Sequence, residues 1–83
     1  MEKKRKLELS YLVDDNMLTY TMQVNDKEHN IFNKALFDNR RNIDAVSIAL
    51  KCLAESSICT KHHKSKINEI LNKTIKINFK LVD

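Results

Sequence analysis

The sequence predicts an α+β fold: a three-stranded antiparallel or mixed sheet, built from an N-terminal hairpin and a C-terminal strand, with two or three helices packed on one face. Three observations predict it. Apolar and polar residues alternate with period two across 6–25 and again across 73–82, which marks half-buried strands. The stretch Ile43–Glu55, read as a helix, is apolar around more than half its circumference, so it must be covered from two sides. Neither Gly nor Pro occurs in the 83 residues, so Asn, Asp and Ser have to make the turns.

The hairpin comes first. Leu7, Leu9, Tyr11 and Val13 alternate with Lys6, Glu8, Ser10 and Leu12; Leu18, Tyr20, Met22 and Val24 alternate with Met17, Thr19, Thr21 and Gln23. A two-residue loop at Asp15-Asn16, or a four-residue loop over 14–17, pairs Val13 with Leu18, Tyr11 with Tyr20, Leu9 with Met22 and Leu7 with Val24. Both put these eight apolar residues on one face, whereas a three-residue loop in simple pairing sets apolar against polar.

Residues 26–38 have helical spacing at Ile31, Phe32, Ala35 and Leu36, with Asp26 as the cap; a short strand through Ile31–Phe37 is the competing reading. A polar connection, Asp38–Asn42, leads to the central helix, where Asn42 is the expected N-cap and Asp44 suits the positive end of the helix dipole. Ser47, Lys51 and Glu55 join Asp44 on a narrow polar stripe. The stretch Thr60–Lys66 reads as a loop or frayed turn. Ile67, Ile70 and Leu71 then give one short amphipathic helix capped by Ser65. In the last segment Ile75, Ile77, Phe79 and Leu81 alternate with Lys76, Asn78, Lys80 and Val82. This strand adds to the hairpin, because a two-stranded ribbon alone is marginal in water.

Length sets one domain, 1–83, with a basic tail at 1–5, near the size where a single core only just suffices. No apolar run is long enough to cross a membrane, and the charged N-terminus lacks the apolar stretch of a signal peptide. Two cysteines are too few for a disulfide framework, which points to a reducing compartment and a cytoplasmic location. Heavy use of Lys, Asn and Ile is what an AT-rich coding genome, such as that of a phage or virus, produces.

The chemistry-bearing residues are sparse. Cys52, Cys59, His62 and His63 lack the paired tight-turn spacing of a structural zinc site, and Cys52 falls on the apolar arc of the central helix, so no metal and no cofactor is expected. No Gly-rich phosphate cradle or nucleotide fingerprint is present. Neither Glu28-His29 nor Asp14-Asp15 provides a nucleophile with a positioned base, so no catalytic residues are assigned and no enzyme is expected. Net charge is +4, with basic residues in three clusters: Lys3, Lys4, Arg5 and Lys6; Arg40 and Arg41; and Lys61, Lys64 and Lys66. Converging on one side, these would bind nucleic-acid phosphates with little sequence preference. The polar sheet face carries no aromatic platform for stacking bases.

Leu12 and Met17 are apolar residues on the otherwise polar sheet face, and Phe37 lies off the stripe of its helix. With two sheet edges that no Pro guards, they make a protein interface the leading expectation. The sequence thus reads as a small non-enzymatic binding protein acting through protein–protein contacts, a regulatory or phage- or virus-type inhibitor, with a protein partner or self-association as a homodimer. Phosphate-backbone binding to nucleic acid is the alternative.

Overall fold

The structure, a computed structural model, describes residues 5–82. The element order is β1 (Arg5–Val13), β2 (Asn16–Val24), α1 (Asp26–Asp38), α2 (Ala45–Glu55), α3 (Lys61–Lys73) and β3 (Ile77–Val82). The sheet order is β2-β1-β3 with both pairings antiparallel. The α+β architecture is therefore as the sequence predicts, with three helices in the second layer and α2 lying between α1 and α3.

The hairpin register differs from expectation by two residues. The turn is Asp14-Asp15, with φ of 49° and 65°, the two successive positive values of a type I′ turn, whose twist matches that of the flanking strands. Asn16 becomes the first residue of β2, so Val13 pairs with Asn16, Tyr11 with Leu18, Leu9 with Tyr20 and Leu7 with Met22. Because the slip is even, no side chain changes face. Tyr11 and Tyr20 both point toward the helices, as expected, but as diagonal neighbours rather than a directly opposed pair. Turn chemistry decides the register here, since hydrophobic alternation is satisfied by either pairing.

Helix α1 replaces the strand alternative for 26–38, and its cap is Asn25 rather than Asp26. The Asn25 side chain accepts from the Glu28 N–H at 2.8 Å and Glu28 Oε1 accepts from the Asn25 N–H at 3.2 Å, the reciprocal pair of a capping box. Helix α2 begins at Ala45, two residues later than expected. Asn42 does not cap it: its Oδ1 accepts from the Asp44 N–H at 2.9 Å, closing a local turn that leaves Ile43 outside the helix. Ala49, Leu50, Leu53 and Ala54 are buried between the neighbouring helices and the sheet, whereas Cys52, placed by the sequence on the apolar arc, faces solvent.

Helix α3 is longer than expected. Thr60, not Ser65, caps it, accepting from the His63 N–H at 3.2 Å. The stretch read as a loop, Thr60–Lys66, is the cap and first half of this helix. Its apolar signal begins only at Ile67, because the earlier turns lie mostly exposed beside β2. Strand β3 starts at Ile77, not near Lys73; Ile75 sits in the connection before it. The core joins Leu7, Leu9, Tyr11, Met22 and Val24 of the hairpin to Phe32, Leu50, Leu53, Ile67, Ile70 and Ile77. Phe32 meets Phe79 edge-on with ring centroids 5.3 Å apart, a favoured aromatic geometry.

Candidate functional site

The largest departure from sequence expectation creates the candidate site. Ile43, expected in the core, is 98% exposed, and Ile75, expected in a strand, is 63% exposed. Backbone-directed bonds hold both in place. The Asn42–Asp44 turn presents Ile43, and the Ser47 hydroxyl donates to the Ile75 carbonyl at 3.0 Å, fastening the α3–β3 connection to α2. The Thr74 hydroxyl accepts from the Lys76 N–H at 3.0 Å, turning the chain into β3. Ile43 and Ile75 border one shallow cleft together with Asp44 and Lys76. Ile75 and Asp44 also border a second cleft, whose floor includes the half-buried Ile48 and Leu71 and whose rim includes Lys51. Arg40, Arg41 and Ile43 line a third opening on the far side. The result is an apolar strip with a mainly basic border. Arg41, Lys51 and Lys76 have no ion-pair partner among the described residues.

The residues nominated from sequence separate. Leu12 and Met17 are direct cross-strand partners near the hairpin tip, 37% and 61% exposed, on the sheet face away from the helices. Phe37 lies in the last turn of α1 in the opposite layer; it is exposed, and the Arg40 guanidinium stacks 4.2 Å from its ring centroid while donating to its carbonyl. These three residues do not share one surface. Of the basic clusters, the first and third share one end of α1 and the second lies apart. Arg5 reaches the start of α1, where it approaches Asp26 and donates toward His29. Lys61 and Lys64 lie in the first turn of α3, which the Glu28–His63 contact ties to that same end of α1. Arg40 and Arg41 follow the other end of α1, thirteen residues away, about 20 Å along the helix axis. Lys66 is engaged by Glu69 at 2.9 Å and by the Tyr20 ring. Lys6, the second residue of β1, pairs with Gln23 and Val82. Lys3 and Lys4 lie outside the described residues.

A buried polar cluster, missed by the sequence reading, links the first turns of two helices. Glu28 is 1% exposed; its Oε2 is 2.8 Å from His63 Nδ1, and Cys59 lies alongside. Burial, and then the neighbouring Glu28 carboxylate, push the Cys59 thiol up to about 11. It therefore stays protonated at neutral pH, the wrong state for a nucleophile. Arg5 and Asn33 both donate toward Nε2 of the buried His29, at 3.3 and 3.2 Å, so this ring nitrogen is the acceptor. The bonds of this cluster close caps and helix contacts. Among the described residues, no three of the His, Cys, Asp and Glu side chains converge as metal ligands do, and no helix is long and apolar enough to cross a membrane.

The apolar strip had one legible signal: with Asp44 rather than Asn42 at the cap position, Ile43 falls before the helix and has no core to enter. Comparisons with protein-family models, with curated proteins and with solved structures return no significant match.

Proposed function

We propose that the chain is a small non-enzymatic binding protein whose Ile43–Ile75 strip docks on a protein partner presenting apolar side chains bordered by acidic ones. One observation carries this reading: two large aliphatic side chains, adjacent and highly exposed, are held out by specific turns. Covering an isoleucine is worth roughly 1.5–3 kcal/mol, and contiguous apolar exposure with a polar rim is the usual mark of an interaction site. The basic border would steer an acid-fringed partner and discriminate against a basic one. A regulatory or inhibitory role fits such a contact, with no reacting groups to supply. The free thiols of Cys52 and Cys59 suit a reducing compartment such as the cytoplasm.

The test is affinity capture from a nuclease-treated extract, followed by binding measurements with the purified partner. A partner retained by the native chain should bind at least about tenfold more weakly to Ile43→Asp, with a further loss for Ile75→Asp. Raising salt should weaken binding only modestly, by slowing association as the rim charges are screened, because the apolar burial itself is not screened. Partners held equally by the native chain and both variants, or complexes captured only when nuclease is omitted, would overturn the reading and return phosphate binding by Arg40, Arg41, Lys61 and Lys64 to first place.

A further inference from the structure

The outer edge of β2 is a second open surface, made by different residues. This strand is nine residues long, with no charge and no Pro, the common guards of an exposed sheet edge. The opposite edge, β3, is shorter and carries Lys80.

The turn at Asp14-Asp15 determines which backbone groups face outward. In a two-residue hairpin the residues flanking the turn exchange both ladder bonds, and so does every second pair after them. In the observed register Asn16, Leu18, Tyr20, Met22 and Val24 therefore bond to β1. The N–H and C=O groups of Met17, Thr19, Thr21 and Gln23 are left to point away from the sheet.

We propose that this edge pairs antiparallel with the same edge of a second copy of the chain, about a two-fold axis at Tyr20, so that two three-stranded sheets become one. The sequence Leu18-Thr19-Tyr20-Thr21-Met22 reads nearly alike in both directions. Pairing centred on Tyr20 sets tyrosine against tyrosine, Thr19 against Thr21 and Leu18 against Met22. Thr19–Thr21 and Met17–Gln23 become the hydrogen-bonded pairs, as the outward groups require. A centre between two residues sets outward groups against inward ones. A centre on Thr19 or Thr21 keeps the bonding but opposes Tyr20 to Leu18 or Met22, losing the match of like with like that favours cross-strand pairs. Such an interface is self-complementary under a two-fold, and a second copy supplies the reversed string that it needs.

Sedimentation equilibrium from micromolar to millimolar protein tests this. The mass should rise from 9.7 kDa toward twice that value. The double variant Thr19→Lys with Thr21→Lys brings four lysines together at the axis and should hold the mass at 9.7 kDa with an unchanged circular dichroism spectrum. Asn78→Lys, on the β3 edge, should leave the dimer intact. Amide exchange at Thr19 and Thr21 should slow by about tenfold or more between the dilute and concentrated native protein, a readout independent of any variant. A native chain that stays monomeric throughout, a dimer abolished by Asn78→Lys, or exchange at Thr19 and Thr21 indifferent to concentration would overturn the proposal. The Ile43–Ile75 strip lies on other elements, so partner binding should survive the double lysine variant.

Discussion

His63 Nδ1 and Glu28 Oε2 are 2.8 Å apart and join the third residue of α3 to the third residue of α1. Each is also part of its own helix start: Glu28 closes the capping box with Asn25, and the His63 N–H donates to Thr60. The contact therefore fixes how two helices that flank α2 begin, across 35 residues of sequence.

Removing one partner should be costly. His63→Ala deprives a nearly fully buried carboxyl group of its 2.8 Å partner, leaving the Asn25 N–H and the adjacent Cys59 thiol, which should lower unfolding stability by about 1–3 kcal/mol. Urea denaturation reads this directly. Glu28→Gln, which keeps the shape and an acceptor for the Asn25 N–H, should cost less than His63→Ala.

The two cysteines should react unequally. Cys52 is exposed on α2, whereas the Cys59 thiol is pushed up to about 11 by burial and by Glu28. At pH 8, iodoacetamide should modify Cys59 about two orders of magnitude more slowly than an ordinary thiol, a ratio that peptide mass spectrometry reads. The same shift has a stability consequence. Between pH 9 and 11 the unfolded thiol loses its proton while the folded one keeps it, so stability should fall as pH rises through that window. Cys59→Ala should flatten that slope.

The core orientation of α2 is testable with adjacent residues. Leu50 is fully buried and Lys51 exposed. Leu50→Ala should cost about 2–5 kcal/mol, and Lys51→Ala under about 0.5 kcal/mol. Equal losses in thermal unfolding would mean that the helix is rotated from its place between α1 and α3.

The turn offers a gain. Asp15 holds a φ of 65°, a region glycine enters without the Cβ clash that other residues meet. Asp15→Gly should raise stability by about 0.5–1 kcal/mol, as the Asp-Gly pair is a preferred type I′ sequence. A loss of stability would show that the Asp15 side chain contributes more than its backbone strain costs.

Sequence alone determined the α+β class, the hairpin, the closing strand and the inward face of each strand. It did so because period-two burial is a local property that any sheet must satisfy: Leu7, Leu9 and Tyr11 face the core in either register. The buried face of α2 at Ala49, Leu50 and Leu53 was legible for the same reason at helical period. Tertiary structure decided what periodicity leaves degenerate. The Asp14-Asp15 turn chose between two registers with the same hydrophobic pattern, a choice made by φ rather than by burial. The first half of α3, polar from Lys61 to Lys66, carries no apolar period and is held by the Thr60 cap and by Glu28, a residue more than thirty positions away. Ile43 and Ile75 look like core residues in any hydropathy reading. They are exposed because they lie in the connections before α2 and between α3 and β3, which bonds from the Asn42 and Ser47 side chains hold in place, and hydrophobicity cannot encode where those bonds form.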